Sequence, residues 1–124
     1  MEKKKVLVVD DEENVRLLVQ NILGKENVVL EASDGETAVQ MARSYNPDFI
    51  LMDIMMPNMD GYTACYAIKK DPVTEAIPVV MLTALGQDLN MKLSQEMGAD
   101  GYITKPFSKE LLRDTVNSFL TEPK

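Results

Sequence analysis

Five short apolar runs recur along the chain with helical patterns between them: Val6 to Val9, Val28 to Ala32, Phe49 to Met52, Val79 to Leu82 and a weaker Gly101 to Ile103. This alternation constrains the fold more than any other feature. Val6-Leu7-Val8-Val9 and Val79-Val80-Met81-Leu82 are apolar at consecutive positions, so both faces of those strands need cover, which suits parallel strands between two helical layers. The first, third and fourth strands are expected at the centre of the sheet.

The intervening segments carry a helical period. Val15, Leu18, Val19, Ile22 and Leu23 fall at i, i+3, i+4, i+7 and i+8 and predict an amphipathic helix that stops at Gly24. A second helix is predicted over 35–43, ahead of Asn46-Pro47, and a third from Asp60-Gly61 with Asp60 as N-cap. Leu89, Leu93 and Met97 predict a fourth that ends at Gly98, and Leu112, Val116, Phe119 and Leu120 a fifth capped by Ser108. The order is (βα)5. Right-handed crossovers restrict such a chain to the α/β class with an open, doubly wound parallel sheet, and five strands favour the flavodoxin-like order 2-1-3-4-5. Residues 1–124 contain no repeat and no internal linker, so a single domain is expected, with the last four residues read as frayed chain or a linker stump.

In such sheets ligands bind beyond the carboxyl ends of the strands, where the order reverses. The residues there are Asp10-Asp11 after the first strand, Asp53 after the third, Thr83 after the fourth and Lys105 after the fifth. Any one of them could be an ordinary solvated strand end. Together they put carboxylates into one crevice, where each close pair repels by roughly 4 kcal/mol at about 4 Å with an effective dielectric of about 20. Protonation or a hard cation would relieve this. The chain has no His and one Cys, so structural zinc sites and Ser-His-Asp or Cys-His catalysis are excluded, and oxygen donors favour Mg2+. Lys105 adds a point charge suited to a phosphoryl oxygen, and Thr83 a hydroxyl. A carboxylate beside Mg2+, a lysine and a hydroxyl is equipment for forming an aspartyl phosphate, with Asp53 the best nucleophile because it ends a central strand.

Asp10-Asp11, the run Asp53-Ile54-Met55-Met56-Pro57-Asn58-Met59-Asp60-Gly61, Thr83-Ala84 and Lys105-Pro106-Phe107 resemble, in order and over essentially the whole chain, the receiver domain of bacterial two-component response regulators. The resemblance implies that Asp53 accepts a phosphoryl group from a sensor histidine kinase or a phosphotransfer protein. It implies that Asp11, Asp53 and the backbone carbonyl of Met55 bind Mg2+ directly, with Asp10 acting through water. Lys105 would contact the phosphoryl group, Thr83 would turn its hydroxyl toward it, and Tyr102 would then turn inward, changing the face made by the fourth helix, fifth strand and fifth helix. The Lys105-Pro106 bond is expected to be cis. Met55 and Leu85 are apolar where other receivers carry polar groups that help water attack, so slow self-dephosphorylation is expected.

Other readings are blander or compete. Met52, Met55, Met56 and Met59 read as core filler, Cys65 as a small buried hydrophobe, and Glu26, Glu31, Glu36, Glu75 and Glu96 as solvated surface. Leu17 falls off the apolar stripe and is expected to be exposed, near where relatives dock on kinases. An aspartyl-nucleophile phosphatase typically has a second acid two residues after the nucleophile, where this chain has Met55, so a signalling module that is not an enzyme is favoured. Asp10-Asp11-Glu12-Glu13 would repel a flavin phosphate, and a receiver-like module that is never phosphorylated often lacks part of the acidic set. A net charge of -7 without a basic run argues against direct nucleic-acid binding, and no apolar run is long enough for a membrane span. The free thiol and the missing signal pattern point to the cytoplasm. Output is expected through protein contacts or a further domain, and a phosphorylation-dependent dimer stays open.

Overall fold

The computed structural model describes residues 3–84, 92 and 95–121. Five strands, β1 (Lys4–Val9), β2 (Asn27–Ala32), β3 (Phe49–Asp53), β4 (Val79–Ala84) and β5 (Gly101–Lys105), form one sheet in the order β2-β1-β3-β4-β5. Every neighbouring pair is parallel. Four helices are described: α1 (Glu13–Leu23), α2 (Gly35–Tyr45), α3 (Gly61–Lys70) and α4 (Lys109–Leu120), which is the fifth amphipathic segment of the sequence. The helix expected on Leu89, Leu93 and Met97 falls mostly outside the described residues. Its expected end is visible, since Gly98 takes a φ of +92° that L side chains rarely adopt and donates its N–H to the Gln95 carbonyl at 3.0 Å.

The consecutive apolar residues divide by alternation between two cores. Leu7, Val9, Ile50, Met52, Val79 and Met81 pack against Ala38 and Ala42 of α2 and Ala64, Cys65 and Ile68 of α3. Val6, Val8, Phe49, Leu51, Val80 and Leu82 pack on the other face against Val19 and Leu23 of α1 and Leu112 and Val116 of α4. Both faces of the central strands are therefore dry, as their unbroken apolar runs require. Each buried Leu or Ile contributes roughly 1.5–3 kcal/mol relative to exposure.

Local chemistry sets the helix boundaries. Asp60 and Ser108 cap α3 and α4 as expected, accepting the N–H of Thr63 at 2.8 Å and of Leu111 at 3.0 Å. Asp34 caps α2 in the same way through Thr37. That helix runs two residues past the expected end, to Tyr45, and Asn46 then stops it in the left-handed region at φ 47° ahead of Pro47. β1 starts at Lys4 rather than Val6, because Lys4 and Lys5 continue the ladder opposite Asn27 and Val28 although their side chains are exposed.

The apolar stripe of α1 is narrower than its periodicity suggested. Val19 and Leu23 are buried, but Leu18 is exposed alongside Leu17 because it faces a groove toward Phe107 instead of the sheet. No described helix is long and apolar enough to cross a membrane.

Candidate functional site

The sheet order reverses between β1 and β3, and the ends of both strands are acidic. Asp10, one residue past β1, is fully buried, and Asp53, the last residue of β3, is nearly so. From the far side of the sheet Lys105, which closes β5, reaches both. Its Nζ lies 3.0 Å from Asp10 Oδ2 and 3.1 Å from Asp53 Oδ1. The next bond, Lys105-Pro106, is cis as expected. Four residues far apart in sequence, counting Thr83 on β4, thus stand at one carboxyl edge.

Asp53 is kept there at an electrostatic cost. Burial, and next the negative charge of Asp10, raise its pKa from 3.8 to about 6, against the opposing pull of Lys105. Burial also disfavours the charge on Lys105, but its hydrogen bond to Asp10 and the charge of Asp53 outweigh that and raise its pKa. One ammonium thus holds two carboxylates that would otherwise repel.

Asp11 and Glu12 are exposed at the mouth, and single carboxylate oxygens of Asp10, Asp11 and Glu12 all lie within 4.8 Å of one another. Glu12 was not singled out from the sequence, where it reads only as one more acid in a run. The mouth opens into a cleft of about 650 Å³ lined by Asp11, Glu12, Asp53 and Lys105 and, on its apolar side, by residues such as Leu18, Met55 and Phe107. Met55 is 80% exposed there, which corrects its reading as core filler: the chain leaves the sheet after Asp53, so Met52 is buried and Met56 and Met59 only lean on the core.

Thr83 is 2% exposed, and its Oγ1 has no hydrogen-bond partner among the described residues. A buried hydroxyl without a partner is costly. Tyr102, on β5, is 39% exposed. Leu85 lies outside the described residues.

The loop after β3 is closed tightly. Gly61 N–H donates to the Ile54 carbonyl at 2.8 Å, and a Cβ on Gly61 would collide with the Asp53 carbonyl oxygen, so only glycine fits beside the strand end. Two further residues escaped sequence reasoning. Arg16 of α1 donates to the Asp10 carbonyl at 2.8 Å and pairs with Glu31 at 3.0 Å, so Glu31 is more than solvated surface. Nothing in the sequence pattern pairs a helix arginine with an acid fifteen residues later on the neighbouring strand.

Acids, a lysine and a buried hydroxyl thus gather at the carboxyl edge of a five-stranded doubly wound α/β sheet. The chain belongs to the response regulator receiver domain family, whose model matches residues 6–117. It is 43% identical over 119 residues to the chemotaxis protein CheY of Halobacterium salinarum, covering 95% of this chain and 98% of that one. Other curated relatives are longer, and the chain spans about half the length of some, such as a probable transcriptional regulator of Guillardia theta, and about a quarter of others, such as the response regulator PleD of Caulobacter vibrioides. Among solved structures, a response regulator from Chloroflexus aurantiacus superposes with a TM-score of 0.93 at 33% identity, covering 98% of this chain and 100% of that one. The receiver domain of a sensor histidine kinase from Pseudomonas aeruginosa, with a magnesium ion coordinated in its active site cleft, gives 0.90 at 25% identity, covering 98% and 100%. The chain is therefore a receiver domain of the two-component type.

Proposed function

We propose that residues 1–124 act as a single phosphoacceptor domain in which Asp53 takes a phosphoryl group from a phosphohistidine on a sensor kinase or phosphotransfer protein. The observation that carries this is the Lys105 bridge: one ammonium holds a buried, desolvated Asp53 beside Asp10 at the floor of an open cleft. A carboxylate in this setting is a better nucleophile than a solvated one, and the lysine is placed to receive a phosphoryl oxygen. An Asp53 oxygen forms the new bond to phosphorus as the donor's P–N bond breaks, and the departing imidazole recovers its proton from solvent.

The donor set fits Mg2+. Asp10, Asp11 and Glu12 converge, Asp53 faces the same cleft, and the chain offers oxygen ligands without histidine. Asp11, Asp53 and the backbone carbonyl of Met55 would hold the ion, with Asp10 acting through water; the neighbour that carries magnesium in its cleft supports this. When bound, the ion supplies charge neutralisation for the transferring phosphoryl oxygens. Lys105 shares that task and keeps the two carboxylates together before the donor arrives.

The readout uses groups already in position. Thr83 Oγ1, unpartnered among the described residues, turns toward the new phosphoryl group and bonds to it, which frees room for Tyr102 to turn in and reshapes the surface around β5. Met55 over the cleft offers water no polar guide, so the phosphoryl group is retained for long periods unless a phosphatase acts. The domain signals by protein contact, to a separate partner or a further domain, and does not turn over substrate. The single free thiol, Cys65, fits a cytoplasmic setting.

The test is incubation with a small phosphodonor such as acetyl phosphate, with and without Mg2+, followed by intact mass measurement. One phosphoryl adduct that requires Mg2+ and vanishes in Asp53→Asn is expected. An adduct that survives Asp53→Asn, or no adduct at all, overturns the reading.

A further inference from the structure

Arg16 does more than pair with a surface acid. Its side chain is 16% exposed and makes two directed contacts, Nη1 to the Asp10 carbonyl oxygen at 2.8 Å and Nε to Glu31 Oε1 at 3.0 Å. The same Asp10 donates its N–H to the Ala32 carbonyl on β2 at 3.1 Å, and its Oδ1 accepts the Glu12 N–H at 2.9 Å. The peptide joining Asp10 to Asp11 is thus gripped through its carbonyl by a rigid guanidinium, which is itself tied to β2 through Glu31. Rotating that peptide would redirect the Asp11 side chain, because a planar peptide leaves few other torsions between them.

We propose that Arg16 is a positioning residue for the acidic cluster: it fixes the Asp10–Asp11 peptide so that Asp11 presents its carboxylate toward Asp10 and Glu12, with Glu31 as its anchor. The proposal rests on the reading that this cluster holds Mg2+. Groups that orient metal ligands from behind typically change affinity by 10–100-fold when removed.

Positioning and simple charge have opposite signs here, which makes the role decidable. If Arg16 acted only as a nearby positive charge, replacing it by a neutral residue would tighten Mg2+ binding by removing a repulsion. As a positioning residue, its loss weakens binding. The conservative Arg16→Lys keeps the charge but cannot span the Asp10 carbonyl and Glu31 together with one ammonium.

The experiment is calorimetric titration of Mg2+ into the wild-type chain, Arg16→Met, Arg16→Lys and Asp11→Asn, with the Asp11 and Glu12 amide resonances of the metal-free proteins recorded in parallel. Arg16→Met is expected to weaken Mg2+ binding roughly tenfold. Arg16→Lys is expected to weaken it a few-fold, with displaced Asp11 and Glu12 amide signals in both variants. If Arg16→Met fails to fold, Arg16→Lys decides alone. Wild-type affinity in Arg16→Lys with unshifted amides, or tighter binding in Arg16→Met, overturns the proposal. If Asp11→Asn binds as the wild type does, or the wild type binds no Mg2+, the metal-site reading has failed instead, and the positioning role falls with it.

Discussion

Replacing Asp53 by asparagine should make the metal-free domain more stable at neutral pH. Asp53 is 6% exposed, and burial together with the Asp10 charge raises its pKa from 3.8 to about 6. An acid with a raised native pKa is penalised when ionised: between these two values the native state holds more protons than the unfolded state, so stability falls as pH rises. The loss is complete above about pH 7 and amounts to about 3 kcal/mol at most. Asparagine has no charge to desolvate, and Lys105 keeps Asp10 as its partner.

For a domain of this size about 1 kcal/mol moves the melting temperature by about 3–5 °C, so Asp53→Asn should melt above the wild type at pH 7.5 by up to about 9–15 °C. The gap should close toward pH 4, where both side chains are neutral. Circular dichroism melts of both proteins in chelator-containing buffer across that range supply the data. Coincident melting at pH 7.5, or a gap of equal size at both ends of the range, would refute the claim that burial and Asp10 strain Asp53.

Other perturbations test other contacts. Lys105→Ala leaves two carboxylates facing each other without a cation, and should destabilise the chain by about 1–3 kcal/mol at pH 7.5, less at pH 4, in the same melts. Gly61→Ala forces a Cβ against the Asp53 carbonyl; a loss of at least about 2 kcal/mol in urea unfolding is expected, with slowed phosphorylation from displacement of the strand end. Cys65 is buried with its thiol pKa pushed up to about 11, so it should resist an alkylating reagent in the native state at pH 8 and react fully once unfolded.

The architecture was legible because burial on both faces of a strand leaves an unbroken apolar run, and a parallel sheet admits few orders. The caps at Asp60 and Ser108 could be read because N-capping is local. Tertiary pairing was harder to see. Periodicity placed Leu18 on the buried stripe of α1, but a helix that covers a sheet edge buries only the residues directly over it, and Leu18 lies beyond them. Met55 read as core because methionine is apolar, yet the turn after β3 carries it out over the cleft.

Asp10, Asp53, Thr83 and Lys105 could be placed at one edge from strand ends alone, whereas the bridge by a single Nζ could not. Arg16 and Glu31 were invisible for a related reason. Their partnership depends on how α1 lies across β2, which no spacing in the chain records.

The central claim is that Asp53, and no other acid in the cleft, carries the phosphoryl group. The most direct measurement is to phosphorylate the chain with acetyl phosphate and Mg2+, reduce it with borohydride, which converts an aspartyl phosphate to homoserine, and sequence the peptides by mass spectrometry. Conversion confined to position 53, absent when Mg2+ is withheld, is the predicted result. Conversion at position 10 or 11 while Asp53 stays intact would contradict it.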